Sequence, residues 1–431
     1  MRLSPGRLPR RVPRQAARQR GAVLITTALV LLFLLGFMGI ALDFGRLFIV
    51  KSELQTAMDS CALAAARELD GKAGAVSRAS HAGVLAANLN PVDLQSVSWR
   101  GSRQLASTDL RFLNASYQPS TGDTDARYAE CRFTKSGIQL WLLQALGLFI
   151  NDPARFPDTS SVGALAVATL GSAQSACPVP LRLRPRPGGG APLYGYAVGE
   201  WVTMLDTQNA SAGGEIGWAN LDGSNSASQT SAQLNGFCGT EIGDDLGTPG
   251  VQSSVANEWN YRFGIYRNNV DYVVAPYQPD VTGFVYTATS WPAQRNAYSG
   301  PATGAPLGSR NFLEQQALFA PCANSVSNCE RLNNPSRSNP TMSLNSFQRV
   351  LPAAEHQRVG VRNRRIVTVP VLSPTGQVAD FVCMLMLQPI SIPQRPVQLE
   401  FLGNASAVGS PCVGGGMPGG TAGPLVPVLV R

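Results

Sequence analysis

Histidine is almost missing from this chain of 431 residues, which holds only His81 and His356. That excludes a His-rich metal centre and leaves little material for general-base catalysis. Both histidines read as surface or helix-face residues. No Gly-x-Ser-x-Gly turn is present, so the exposed serine nucleophile of that motif has no counterpart. The eight cysteines form no Cys-x-x-Cys pair, which excludes zinc-ribbon spacing and a thioredoxin-type redox motif. Gly414–Gly419 fits Gly-x-Gly-x-x-Gly, but no strand precedes it and Pro418 would break a following helix, so it makes no phosphate cradle. The expectation is a protein without catalytic residues and without a cofactor.

Charge is scarce too, at 14% of residues, and it is absent throughout the 21 positions from Ala22 to Leu42. A helix of that length crosses a bilayer core of about 30 Å. Seven arginines and no acid lie in residues 1–20; without them the net charge of +8 falls to +1 for the other 411 residues. The basicity is therefore a tail beside a span, which predicts a cytoplasmic N-terminus and an exported remainder. Nucleic acid is not an expected partner, because no later basic face is interleaved with aromatics. A cleaved secretory signal is the competing reading, but its apolar core is usually about 7–15 residues with a cleavage site just after it. The nearest small-x-small site here is Ala62-Leu63-Ala64, well downstream.

Asp43 ends the apolar run without ending the helix, since no proline or turn cluster occurs before Gly71–Gly74. The reading is one continuous helix from Arg20 of about 48 residues, roughly 70 Å long. Gly36 and Gly39 lie within the span, three apart, and do not form Gly-x-x-x-Gly. Beyond Asp43 the apolar seam is Leu47, Val50, Leu54, Ala57, Cys61 and Ala64, in heptad steps. It is too short for a free coiled coil, and its residues shrink along its length. A small-residue face suits close packing on a sheet or helix. Glu53, Asp59, Arg67 and Glu68 lie off the seam or at its end.

Residues 75–90 read as a second helix. Strands are expected at Asp93–Trp99, Leu110–Tyr117, Arg127–Thr134 and Ser161–Leu170, with a buried core helix at 138–150. Residues 177–192 read as a Pro/Gly linker. After it come short apolar runs split by turns: Tyr196–Leu205, Glu215–Leu221, Trp259–Tyr266, Asp271–Pro276, Val281–Thr287, Arg365–Leu372 and Ala379–Leu387. These suggest a β-sandwich or an irregular β-domain. Residues 301–347 read as a long loop, and 403–424 as coil tethered only if Cys412 is bridged. The cysteines fit an oxidising compartment, with Cys322–Cys329 the expected pair. Asp222, Ser224 and Ser226 match the Asp-x-Ser-x-Ser metal turn of von Willebrand A-type domains. The strand–helix alternation of such a domain is missing, and the alternative is a polar turn.

Several strings carry a resemblance: Arg20-Gly21-Ala22-Val23, Asp43-Phe44-Gly45-Arg46, Leu54-Gln55-x-Ala57-x-Asp59 and Ala62-Leu63-Ala64-Ala65-Ala66-Arg67. In that order they resemble the N-terminal region of the TadE/TadG-like proteins of Flp (tight adherence) pilus assembly. The resemblance implies a bacterial inner-membrane, single-pass protein with a periplasmic body. It also implies a long half-embedded helix shared with type IV pilins, and partners among pilus-assembly membrane proteins or pilin-like subunits. Gly21 stands where a prepilin would be cut, yet Thr26 replaces the glutamate that the pilin pattern expects, so processing at Gly21 stays open. The expected class is α+β: cytoplasmic tail 1–20, transmembrane helix 21–42, pilin-like periplasmic α+β domain 43–176, linker 177–192 and β-rich periplasmic domain 193–431. The expected function is a membrane-anchored assembly component; the alternative is a periplasmic binding module using the turn at Asp222–Ser226.

Overall fold

A computed structural model describes residues 20–144, 158–204, 215–248, 255–266, 270–281, 349–387, 389–390 and 397–430. The expected loop at 301–347, the Cys322–Cys329 pair and the greater part of Val281–Thr287 lie outside the described residues. The architecture is α+β. The chain divides into two compact units, one of Met1–Met58, Ala86–Asp109 and Arg132–Leu165, the other of Asp59–Leu85, Leu110–Cys131 and Ala166–Arg431.

Helix α1 (Arg20–Arg67) passes through both units without a break. The side chains described between Val23 and Leu34 are all exposed, while Val50, Leu54, Ala57, Met58, Cys61, Ala62, Ala65 and Ala66 are buried. One helix therefore has two solvents: its first half faces outward all round, and its second half is a core element.

In the first unit, α1 packs beside the later part of β2 (Tyr128–Gln139) and the start of β3 (Thr159–Ser172). Gln55 Nε2 donates to the carbonyl of Leu165 at 2.8 Å, and Lys51 Nζ donates to that of Gly163. Trp99 is fully buried and meets Phe133 edge-on at 5.3 Å. The expected strand at Asp93–Trp99 is not one. Asp93, Leu94 and Gln95 take φ values of +69°, +59° and +60°. Left-handed backbone costs a non-glycine residue about 1–2 kcal/mol. Here the carboxylate of Glu53 offsets it, accepting from the N–H groups of Leu94 (2.9 Å) and Gln95 (3.0 Å). Successive N–H groups in this conformation form a concave anion nest.

In the second unit, α2 (Ala75–Asn88) crosses the small-residue end of α1. A β-carbon on Gly83 would lie 3.1 Å from Cys61 Sγ and 3.2 Å from Ala65 Cβ, so the two helices meet at a glycine. Cys61 is bridged to Cys131 at the start of β2. β1 (Leu110–Leu113) pairs antiparallel with β2, and the four-stranded sheet runs β1-β2-β3-β12. Its last strand, β12 (Leu425–Leu429), pairs antiparallel with Ala168–Ser172 of β3.

The remainder is a closed barrel where a sandwich or irregular domain was expected. Its strands are β4 (Leu181–Leu183), β5 (Trp201–Met204), β6 (Ile216–Trp218), β9 (Ile366–Leu372), β10 (Val378–Met386) and β11 (Val397–Asn404), closed in the order β10-β11-β5-β6-β4-β9. Closure removes sheet edges. It depends on β4, which lies among the prolines of 177–192 and pairs in parallel with β9. Trp201, Phe381, Met384 and Phe401 are buried members of the hydrophobic cluster built on these strands. A short ribbon of β7 (Ile265–Tyr266) and β8 (Arg349–Val350) and helices α3 (Ala227–Leu234), α4 (Ala256–Tyr261) and α5 (Ala353–Val359) complete this unit.

Three further expectations are corrected here. Trp259–Tyr266 begins as helix because Ala256, Trp259, Asn260 and Phe263 bury one 3.6-period face. Asp271–Pro276 is a series of turns with Val273 and Val274 exposed. His356, read as a surface or helix-face residue, lies on helix α5 but is fully buried. The tail at 403–424 is tethered, by Cys383–Cys412. A third bridge joins Cys177 to Cys238.

Candidate functional site

The chemistry that stands out is the change of environment along α1. Within the apolar run Gly36 is half-buried, while Gly39 is buried. A β-carbon at Gly39 would stand 3.0 Å from Leu142 Cβ, so Gly39 admits a neighbouring segment of the same unit. Its smallness serves contact within the chain. One turn later, Asp43 is only 5% exposed although it follows a lipid-compatible stretch. Its Oδ2 accepts the N–H groups of Leu142 (3.0 Å) and Leu143 (2.7 Å). These are orphan donors at the start of the helical turn 141–144, and a carboxylate there satisfies them as a cap does.

A collar of charge follows. Arg46 lies 4.9 Å from the ring centroid of Trp141, donates to the Gln139 carbonyl at 3.1 Å and pairs with Asp93 at 3.3 Å. Asp93 and Lys135 are both nearly inaccessible and sit 3.5 Å apart. Lys135 Nζ also donates to the Trp99 carbonyl (2.9 Å) and to Ser102 Oγ (2.7 Å), so the buried ammonium is fully engaged. The first unit thus gathers its buried charges immediately beyond Asp43. Gly45 has open space where a side chain would be, and Phe44 and Phe48 are 49% and 73% exposed beside it.

Further along, Leu47 is half-buried, Val50, Leu54, Ala57 and Cys61 are buried, and Ala64 is half-buried. Sequence reasoning named Arg46 among the family strings and Glu53 as off the seam, but passed over Asp93 and Lys135. The signal available was the isolation of each: Asp93 is the one charge in the loop 89–99 after α2, and Lys135 is the last charge of β2.

The segment 138–150, expected as a buried core helix, does turn helical at 141–144. Trp141, however, is 65% exposed and Leu142 41%. Only Ile138 and Leu140 point inward; residues 145–150 lie outside the described residues.

The Asp222–Ser226 stretch is a hydrogen-bonded turn. Asp222 Oδ1 accepts the Ser224 N–H at 3.1 Å, Asn220 Nδ2 donates to Ser224 Oγ at 3.1 Å, and Ser226 Oγ lies 2.8 Å from Ser228 Oγ. Partial burial raises the Asp222 pKa, but the Ser224 hydroxyl and N–H outweigh it and hold the carboxyl below its ordinary value. Among the described residues, no group of three or more His, Cys, Asp or Glu side chains is placed to hold a metal ion.

Among the described residues, one helix, Val23–Arg67, is long and apolar enough to cross a membrane. Neither the curated proteins nor the solved structures contain a match to the chain. Residues 21–68 match the Tad family model, Flp pilus-assembly TadE/G-like, a structural and assembly family. What this chain shares with the Flp pilus-assembly TadE/G-like proteins is therefore α1, almost end to end.

Proposed function

We propose that this chain is a membrane-anchored structural component of a Flp-type pilus-assembly machinery and acts by packing rather than by catalysis. The observation that carries the reading is the coincidence of the matched segment with α1, whose apolar half is exposed and whose second half is the core of the body. A helix so divided joins two phases. The arginine-rich tail supports a cytoplasmic N-terminus, and the disulfides support a periplasmic body. The first sheet resting on the second half of α1 is the pilin-like element of this reading. Its partners are the bilayer of the inner membrane and other pilus-assembly membrane proteins or pilin-like subunits. The exposed Phe44-Gly45 and Phe48 patch is the contact surface offered to those partners.

The test replaces residues 22–42 by a cleavable export signal, so that the body reaches the periplasm without an anchor. Loss of pili, restored by the full chain, is expected. Normal piliation by the soluble body would sink the anchored-scaffold reading.

A further inference from the structure

The helical turn 141–144, which follows β2, carries two exposed large apolar side chains, Trp141 (65%) and Leu142 (41%). Three observations fix its level along α1. Leu142 lies against Gly39, four residues before Asp43, which is about 6 Å toward the apolar end at ~1.5 Å per residue. Asp43, the first charged residue after the run, caps the Leu142 and Leu143 N–H groups. Trp141 lies under the guanidinium of Arg46, three residues beyond Asp43. The turn therefore straddles the level at which α1 changes from apolar to charged.

We infer that this turn is a second membrane contact: residues 141–144 dip into the outer leaflet beside α1, with Trp141 in the headgroup region and Leu142 at the margin of the acyl chains. This rests on reading α1 as a span. Interfacial segments bury their apolar face about 5–10 Å into the headgroup–acyl boundary, which matches the depth of Leu142. Tryptophan collects at that boundary because its ring is apolar and its N–H is not. Backbone at such depth needs all its polar groups paired. Here the first free N–H groups of the turn go to Asp43, the Gln139 carbonyl goes to Arg46, and the Gln144 N–H goes to the Leu140 carbonyl at 3.0 Å. Apolar side chains are exposed while the N–H groups of 142–144 and the carbonyls of 139 and 140 are paired, and lipid is the occupant that asks for both. Phe44 and Phe48 extend the same aromatic level on α1.

The experiment reconstitutes the full chain in phosphatidylcholine/phosphatidylglycerol vesicles, with and without lipids brominated near the headgroup end of the acyl chain. Trp99, Trp201, Trp218 and Trp259 are all buried in protein, and Trp291, outside the described residues, is common to both proteins and drops out of the subtraction. Subtracting the Trp141→Phe variant isolates the emission of Trp141. Flotation with the vesicles tests the span itself. With flotation established, quenching of wild-type emission by brominated lipid that is lost in Trp141→Phe supports the contact. Equal quenching of both proteins, or Trp141 emission that responds to protein concentration rather than to bromine, overturns it and gives the patch to a protein partner. Near-ultraviolet circular dichroism matching wild type shows that the variant is folded. Trp141→Tyr, which retains a ring beneath Arg46, provides the same subtraction if phenylalanine disturbs the turn.

Discussion

Nε2 of His356 lies 2.7 Å from the carbonyl oxygen of Asp280, and the ring has no access to water. Burial pushes its pKa down to about 3; the Asp280 carbonyl opposes the shift and the charge of Arg365 adds to it. In the unfolded chain the ring titrates near its ordinary value of about 6.5. The folded pKa is thus depressed, and below about 6.5 the unfolded chain binds a proton that the folded one refuses. The histidine contributes its full stability above that pH and loses it as pH falls toward 3, at up to about 1.4 kcal/mol per pH unit. Urea unfolding of the detergent-solubilised full chain between roughly pH 7 and pH 5 reads this slope. His356→Gln should flatten it, and a variant with the wild-type slope would assign the acid sensitivity to other groups. The same scale explains one residue that deceived pattern reading. Glu53 sits on α1 far from Asp93–Gln95 in sequence, yet its carboxylate decides that those residues turn instead of forming a strand. Long-range partners of this kind leave no local trace.

At the scale of elements, α1 was legible almost to the residue, because missing charge, missing proline and heptad spacing all act locally. The expected runs at 110–117, 127–134, 161–170, 365–372 and 379–387 overlap the strands Leu110–Leu113, Tyr128–Gln139, Thr159–Ser172, Ile366–Leu372 and Val378–Met386 for the same reason, since their apolar residues are grouped locally. β4 was hidden among prolines, β11 carries the buried Glu400 in mid-strand, and β12 contains Pro427. Proline inside a run argues against a strand except at edges, first residues and bulges, and β12 is an edge strand of its sheet. The collar around Asp43 was half legible: Asp43 was singled out, but not the two N–H groups that it serves. Packing between α1 and α2 makes a prediction at this scale. A β-carbon on Gly83 meets Leu110 Cδ2 at 2.9 Å as well as Cys61 and Ala65. Gly83→Ala gains up to about 1 kcal/mol of helix propensity against the crowding. Gly83→Val has no such offset and should cost about 1–3 kcal/mol by overpacking. Equal unfolding midpoints for the two variants would show that the helices can move apart freely.

Across the whole molecule, the sheet that rests on α1 takes its outer strand from far along the chain. Val426 is buried, and Leu425–Leu429 registers against Ser172–Ala168. Ending the chain before Leu425 should therefore expose 168–172 to protease. The β9–β10 hairpin, which is paired on both sides within the barrel, should stay protected. Mapping of the first cut sites by mass spectrometry reads this, and a digestion pattern unchanged from the full chain would refute the dependence.

That pairing also has a consequence in time. β12 follows every strand of the barrel in the order of synthesis, so the nascent chain carries β3 with a bare edge while the barrel is being made. A bare edge is a template for any passing strand, from a neighbouring copy as readily as from its own chain. The interval between translating β3 and β12 is thus the window in which copies can exchange strands. Arrival of Leu425–Leu429 closes that window and leaves each copy with its own sheet.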